Sequence, residues 1–321
     1  MAPIVRTVRG DIPPSALGIT YMHEHLIVDS PLVADRFPHI HLPSVAEAIA
    51  EVATCRAAGV GTMVDAMPCA AGRDVGRLVA VSDSTGMHIV AATGLHHPRY
   101  YEGRPWTQHA AVEDLADLFT ADLTEGVDRW DYSGPVVSRT EFRAGIIKVA
   151  TRGGTLSGPE HRLFEAAAEA HLRTGAAILT HCEDGRGGLE QVAALRALDV
   201  QLEKVVLSHT DKHPDARYHA ALLESGVNLE YDQALRQKAD QPRGTATLLT
   251  EMLGAGHVGR LLLGTDGARR SLWRTLGGSP GLDYLVTGYR EVLRRRGVDA
   301  ATLHTLLVEN PARVLAFDPA R

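Results

Sequence analysis

GITYMHEHLIVD, residues 18–29, begins with a predicted buried strand over residues 18–26, and this strand carries two histidines near its end. Residues i and i+2 of a strand point to the same face, so His23 and His25 are expected to aim into one space. Two neighbouring imidazoles are awkward to pack but form a natural metal clamp, so this stretch predicts a metal site at the end of a strand. Glu24 points to the opposite face and is expected to be structural.

Seven further runs of the chain are also nearly continuously apolar, as parallel strands buried on both faces are. They span residues 61–67, 88–95, 144–150, 176–181, 204–209, 226–232 and 260–266. Helical patterns lie between them, for example at 44–59 and 159–175, and each begins with Ser or Pro and ends at Gly. Strand and helix alternating eight times predict an α/β fold, a single (β/α)8 TIM barrel.

No linker rich in Pro or Ser divides the chain, so we expect one domain over residues 1–321. Two connections are much longer than the others, at about 95–143 after the third strand and 267–282 after the eighth. Both follow the carboxyl ends of strands, where barrels of this kind build their active sites. These two loops are therefore expected to shape the pocket.

The composition limits the classes of partner. The net charge of -6 gives no electrostatic reason to expect nucleic acid or an anionic membrane. No apolar run approaches the roughly 18 residues that would span a bilayer, and the first residues show no secretory signal. The three cysteines form no C-x-x-C pair and are expected to be reduced thiols. We expect a cytoplasmic protein that acts on a small molecule.

Residues of metal-binding type recur at the ends of the predicted strands. They are His23, His25, Lys148, His181, His209 and Asp266. In a barrel these ends meet at one face, so the six side chains are expected to converge. Taken singly, each has an ordinary explanation: a H-x-H pair is often structural, and Asp266 in GTDG could simply make a turn. It is the coincidence of all of them that predicts a site.

Lys148 is the least ordinary of the six, because GIIKVAT would bury its ammonium group in an apolar strand. Burial as a cation costs several kcal/mol unless the charge is paired, and desolvation favours the neutral amine. A neutral amine can add carbon dioxide to form a carbamate, whose two oxygens can bridge two metal ions. We therefore expect Lys148 to be carboxylated.

The chain resembles the phosphotriesterase family, the binuclear-metal branch of the amidohydrolase superfamily, over nearly its whole length. The resemblance rests on MHEHLIVD, RDVGRLVAVSDSTGMHIVAATGLH, GIIKVAT, ILTHCEDGRGGLEQ, LSHTD, LLLGTDGARR and VENPARVLAF, in this order and spacing. It implies a metal-dependent hydrolase that acts on ester-like bonds. The family is often dimeric, so the resemblance also implies a homodimer.

The resemblance implies a role for each of the six residues. His23, His25 and Asp266 would hold the more buried of two metal ions, and His181 and His209 the more exposed one. Carboxylated Lys148 would bridge both. Zinc suits a site rich in imidazole with an oxygen bridge, and manganese or cobalt could substitute. Asp266 would also be catalytic, taking a proton from the attacking hydroxide and delivering it to the leaving group.

The substrate depends on the loops, and the resemblance leaves it open. His96 and His97 stand where many relatives have Trp or Tyr, and Tyr231 stands near an arginine of the acyl-homoserine lactonases. Cations are supplied by Arg236 and by three residues that the prediction assigns to substrate binding: Lys238, Arg269 and Arg270. Lys238 and Arg269 best match the lysine and arginine that bind phosphate in the sugar-phosphate lactonases. A tyrosine of those lactonases would fall near Leu272, which cannot donate a hydrogen bond.

The leading expectation is a lactonase for a sugar lactone or another anionic lactone, because an arginine fork binds phosphate or carboxylate. An aryl ester or organophosphate triester hydrolase is the alternative. A barrel that binds a small molecule without catalysis is the remote alternative.

Other residues rank lower as functional candidates. Asp65 ends the second strand and could support a metal ligand, while Tyr100 and Tyr101 could line the entrance. Cys182 lies on the opposite face of its strand from His181, which speaks against a nucleophilic role. Three histidines on predicted helices are expected to be solvated: His161, His171 and His219.

Overall fold

The computed structural model describes residues 2–238 and 241–318, and its centre is a parallel eight-stranded sheet. All eight predicted strands are confirmed, in the order in which they occur along the chain. Their bounds are β3 Ile19–Glu24, β4 Val60–Asp65, β5 His88–Gly94, β6 Ile146–Thr151, β7 Ile178–Cys182, β8 Val205–Ser208, β9 Asn228–Tyr231 and β10 Leu261–Leu263. A short antiparallel hairpin that the sequence reading missed precedes them, β1 Val5–Thr7 and β2 Gly10–Ile12.

The backbone closes the sheet into a barrel where its first and last strands meet. The amide N–H groups of Thr265 and Asp266 both donate to the carbonyl oxygen of His23, at 3.2 and 2.9 Å. These bonds follow directly after β10 and join it to β3, so the ends that carry His23 and Asp266 are held side by side. The predicted (β/α)8 fold is confirmed.

Helices connect the strands on the outside of the barrel. Their bounds are α1 Pro31–Arg36, α2 Val45–Ala57, α3 Val75–Thr85, α4 Trp106–His109, α5 Val112–Thr124, α6 Gly158–Thr174, α7 Gly188–Ala197, α8 Ala216–Glu224, α9 Thr245–Gly254, α10 Gly288–Arg295, α11 Ala300–His304 and α12 Asn310–Leu315. Both predicted helices form, with Ser44 capping α2 and a Ser157–Glu160 capping box starting α6. No helix among the described residues is long and apolar enough to cross a bilayer.

The long connection after β5 contains α4 and α5, so the expectation of an elaborated loop is met. The connection after β10 consists largely of short 3-10 helices and is fastened to the barrel by buried Glu51 of α2. The Glu51 carboxylate accepts from the backbone N–H groups of Thr275 and Leu282, at 3.1 and 3.0 Å. The loop after β10 is therefore held to α2 by two buried hydrogen bonds.

A bulge in β3 decides which way the two histidines face. Tyr21 pairs with Met63 and Glu24 pairs with Asp65, so three steps on β3 match two steps on β4. The side chain of Met22 packs in the core inside the barrel, and without the extra residue the next inward side chain would be that of Glu24. The bulge shifts the alternation by one, and His23 and His25 face inward instead.

The interior of the barrel is divided into two layers. Apolar side chains fill the layer nearer the amino ends of the strands, including Val64, Val90, Ile146 and Leu262. The layer nearer the carboxyl ends is polar and holds His23 and Lys148. Close approach of the strands here depends on Gly94, whose φ is +97° and where a Cβ would lie 1.9 Å from the carbonyl oxygen of Lys148. The site is thus supported from below by a packed floor.

Candidate metal centre and pocket

Three of the predicted ligands converge where β3 meets β10. The rings of His23 and His25 have centroids 5.3 Å apart, and His25 Nε2 lies 3.6 Å from Asp266 Oδ1. One donor atom from each of the three residues lies within 4.8 Å of the others. Histidine nitrogens and a carboxylate oxygen at this spacing can hold a divalent cation.

The other two predicted histidines extend the first pair into a continuous row of neighbouring imidazoles. The centroid of His209 lies 4.7 Å from that of His23 and 4.5 Å from that of His181. His209 and Asp266 both have left-handed backbone conformations, with φ of +63° and +44°. Such conformations cost of order 1–3 kcal/mol and persist where the surrounding structure imposes them, often at functional sites.

Lys148 lies fully buried beside His23, with its Nζ 3.4 Å from His23 Nε2. Burial lowers the pKa of the Lys148 amine to about 8, against the opposing effect of the Glu230 and Asp266 charges. The amine is therefore much easier to deprotonate than an exposed lysine, which is the condition for nucleophilic attack on carbon dioxide. The six predicted ligands lie in one cluster.

Two carboxylates that the sequence reading missed lie beneath the imidazoles. Glu230 Oε2 is 3.3 Å from His23 Nδ1, and Asp232 Oδ2 is 2.7 Å from His209 Nδ1. Both are fully buried, and burial together with the charge of Asp232 raises the pKa of Glu230 well above its usual range. A carboxylate hydrogen-bonded behind a metal-binding histidine, as Glu230 is behind His23, fixes the orientation of the ring and leaves the other nitrogen for the metal. Asp232 lies close to His209 Nδ1 without the geometry of a hydrogen bond.

The ring nitrogens provide a test of whether a metal would fit. Within the described residues, His25 Nδ1 and His181 Nδ1 are buried and have no hydrogen-bond partner. Burial lowers the pKa of His25 to about 4, and burial with the nearby Lys148 charge lowers the pKa of His23 well below its usual value. Neutral imidazoles with unused lone pairs are the state that a metal ion requires. The residues fit a metal centre.

A pocket of about 340 Å³ opens above this cluster. Its wall includes the predicted substrate residues His96 and Arg269, together with Tyr100, which packs against Phe37 at a centroid distance of 5.1 Å. Lys212 of the loop after β8 also lines the pocket, and the sequence reading did not single it out. The volume suits a small ligand.

Four of the predicted substrate residues do not line this pocket. The exposed side chain of Lys238 lies outside it, His97 accepts from the backbone N–H of Arg99, and Arg270 donates to the carbonyl oxygen of His41. The side chain of Tyr231 lies outside the pocket for a geometric reason. It lies between two inward-facing residues, Glu230 of β9 and Asp232 directly after the strand, so alternation turns its ring outward, where its hydroxyl contacts His219 of α8.

Two predictions about histidines on helices are also wrong. His219 is fully buried, and its Nδ1 lies 2.8 Å from the Tyr231 hydroxyl. His171 is buried with Nδ1 2.7 Å from the carbonyl oxygen of Ala176. Each imidazole is buried between its helix and the barrel, where it contacts a hydrogen-bonding group, the Tyr231 hydroxyl for His219 and the Ala176 carbonyl for His171. His161 is exposed, as predicted.

The supporting residues lie close to the ligands they serve. Asp65 accepts from the backbone N–H of Leu26, directly after His25, at 2.7 Å. Glu24 faces away from the metal cluster and accepts from the backbone N–H of Thr265 at 3.0 Å. The hydroxyl of Tyr101 accepts from the backbone N–H of His96 rather than lining the entrance. Asp65 and Glu24 therefore hold the backbone next to His25 and Asp266, which is the structural role expected of them.

Comparison with known proteins was made by sequence and by structure. A model of the phosphotriesterase family matches residues 3–315. The phospho-furanose lactonase of Mycoplasmopsis synoviae (strain 53) is 32% identical, over 98% of this chain and 92% of its own. An amidohydrolase from Mycoplasma synoviae has a similar structure, with a TM-score of 0.92, 30% identity and coverage of 100% of this chain and 94% of the other.

A third similar protein is the phosphotriesterase homology protein from Escherichia coli, whose crystal structure has phosphate in the active site. Its TM-score is 0.84 at 28% identity, with 94% of this chain and 99% of the other covered. The family match extends over the whole barrel and includes every strand end described above. The chain belongs to the phosphotriesterase family.

Proposed function

We propose that this hydrolase opens a small anionic lactone, such as a phosphorylated sugar lactone, by metal-assisted attack of hydroxide. The observation that carries the proposal is one cavity that four of the six potential ligands line, His25, His181, His209 and Asp266, and that has two cations at its rim without an ion-pair partner among the described residues. Among the described residues, Lys212 and Arg269 line the pocket and neither forms an ion pair. A substrate with a negative group at one end and an ester bond at the other would match both regions.

Two other arginines of the pocket are already engaged. Arg236 lies 3.0 Å from Asp266 Oδ2, and Arg99 lies 3.5 Å from Glu183 Oε1. Binding a substrate anion there would require an existing pair to break. The unpaired Arg269 is therefore the arginine proposed to contact the negative end of the substrate. Lys212 is proposed as the second contact, in place of the predicted Lys238, which lies outside the pocket.

The metal centre is part of the same proposal. His23, His25 and Asp266 would hold one ion, His181 and His209 the second, and a carbamate on Lys148 would bridge them. Two divalent cations in this place, zinc or alternatively manganese or cobalt, would supply a hydroxide near neutral pH and polarise the lactone carbonyl.

Asp266 is the residue proposed to move the proton. Burial acts to raise its pKa, but the charges of Arg236 and His209 outweigh burial and hold the pKa below its usual value. The carboxylate is therefore ionised at neutral pH and ready to accept a proton from the attacking water. Returning that proton to the alkoxide of the opened ring completes hydrolysis.

The relatives support this substrate class. One is named a phospho-furanose lactonase, and another holds phosphate in its active site. The runner-up is an aryl ester or organophosphate triester hydrolase, and the observation in its favour is the aromatic wall formed by Phe37 and Tyr100. An apolar leaving group could pack against that wall.

A substrate panel tests the proposal. Five- and six-membered sugar lactones, each with and without a phosphate, are assayed beside paraoxon-like triesters and aryl esters. We expect kcat/KM above about 10⁴ M⁻¹s⁻¹ for at least one phosphorylated lactone, which is the usual lower range for a true substrate. Higher values for the triesters than for every lactone would support the runner-up, and no turnover by metal-loaded protein would favour a binding protein.

A further inference from the structure

Glu183 occupies a position that the metal-centre assignment leaves without a role. Its Oε2 lies 2.7 Å from His181 Nε2, and its Oε1 lies 3.5 Å from Arg99. The three side chains form a chain of contacts from the loop after β5 to the end of β7. Glu183 follows β7, which ends at Cys182, so the alternation of the strand does not by itself place its side chain beside His181.

The contact decides which nitrogen of His181 remains available. Nε2 is engaged by Glu183, while Nδ1 is buried and has no hydrogen-bond partner within the described residues. The ring is packed between His96 and His209, with centroid distances of 5.1 and 4.5 Å. This packing restricts rotation of the ring, so exchanging the two nitrogens would require neighbouring imidazoles to move.

The backbone is bent so that Glu183 folds back onto His181. Asp184 has a left-handed φ of +52°, and Gly185 follows with φ of +74°. A Cβ at Gly185 would lie 2.7 Å from the backbone nitrogen of His213, so the turn is wedged against the next loop. The turn therefore fixes the position of the Glu183 carboxylate, in addition to the attraction between the carboxylate and its partners.

We infer that Glu183 is a positioning residue that holds His181 in the Nε2–H tautomer and so presents the Nδ1 lone pair to a metal ion. The carboxylate accepts the Nε2–H hydrogen bond, and Arg99 steadies the carboxylate from the opposite loop. A carboxylate in this role raises the basicity of the ligating nitrogen as well as fixing its direction. The inference rests on the proposed function through the assignment of His181 as a ligand.

Nuclear magnetic resonance of the metal-free protein tests the tautomer directly. Two-bond ¹H–¹⁵N correlation distinguishes a protonated from an unprotonated ring nitrogen, and His181→Asn assigns the signal. We expect Nε2 of His181 to carry the proton in the wild-type protein and in Glu183→Gln, whose amide oxygen still accepts. Loss of a single tautomer is expected in Glu183→Ala. A proton on Nδ1 in the wild type would overturn the inference.

Metal retention under chelator competition provides the second measurement. We expect one of two equivalents to bind about 10- to 100-fold more weakly in Glu183→Ala, while the other equivalent is unchanged. Glu183→Gln should fall between Ala and wild type, and exposed Glu190→Ala is the matched control without effect. Equal weakening in Gln and Ala would indicate that Glu183 ligates the metal itself and would overturn the inference, as would unchanged retention in Ala.

The two proposals fail in different ways. If the wild-type protein binds no divalent metal, the proposed function fails, whereas the tautomer measurement still decides the role of Glu183. If metal binds with two equivalents and Glu183→Ala retains both normally, only the inference about Glu183 fails.

Discussion

The guanidinium of Arg236 lies 3.0 Å from the carboxylate of Asp266 and also donates to the carbonyl oxygens of Thr265 and Asp266. One side chain therefore holds both the backbone and the carboxylate of a residue whose φ is left-handed. Because the Arg236 guanidinium already binds these three groups, we expect it to stabilise Asp266 rather than to bind the substrate.

Arg236→Met should lower kcat by about 10- to 100-fold with a smaller change in KM, since the orientation of Asp266 is lost while the substrate contacts remain. Steady-state kinetics on the best lactone measure the change, with circular dichroism as the check on folding. Arg236→Lys retains a charge but not the fork and should recover only part of kcat. A variant that changes KM alone would contradict the assignment.

Lys148→Ala should abolish the carbamate bridge, lower activity by about a hundredfold or more and reduce the bound metal below two equivalents. Metal analysis and turnover are measured on the same preparation. Short carboxylic acids should restore part of the activity, because the truncated side chain leaves room for them. Lys148→Met fills that room and is the control that should not be rescued. Turnover equal to wild type in either variant would refute the bridge.

Lys212→Met and Arg269→Met should each raise KM for a phosphorylated lactone by roughly tenfold, since a charge-assisted contact at an exposed rim is lost. KM for the same lactone without phosphate should hardly change. Exposed Lys238→Met is the matched control, because its side chain lies outside the pocket. If Lys238→Met has the larger effect, the phosphate lies elsewhere in the pocket.

Arg73→Met should destabilise the fold by about 3–5 kcal/mol, because it leaves Asp122 as a buried charge with a weaker partner. The two groups lie 3.0 Å apart with both side chains fully buried, and the next cation, Arg139, is 3.5 Å from Asp122. Denaturant unfolding measures the loss. Arg36→Met breaks only exposed pairs and should cost no more than about 1 kcal/mol. Equal losses in the two variants would contradict the burial argument.

The fold and the cluster could be predicted from sequence because strand ends in a barrel must meet. His23, Lys148, His181 and Asp266 needed only the strand assignments to be brought together. The same reasoning should have found Glu230 and Asp232, which lie at i and i+2 in NLEYD on the inward face. Choosing Tyr231 instead placed the inward face of β9 one residue out of step.

The pocket wall could not be predicted in the same way, because loop geometry sets it. Lys212 and Lys238 look equivalent in sequence, and only the path of each loop decides which one lines the cavity. Glu183 depends on the left-handed conformation of Asp184, a residue type that occupies this region only occasionally. Such positions follow from three-dimensional packing and leave little periodic signal.

The extra residue between Tyr21 and Glu24 also constrains how this protein can change during evolution. Substitutions in the rim loops can alter selectivity one contact at a time, whereas a single-codon deletion in this strand would exchange the facing of Glu24 and both imidazoles at once. Insertions and deletions should therefore be tolerated around the mouth of the barrel and eliminated from its first long strand.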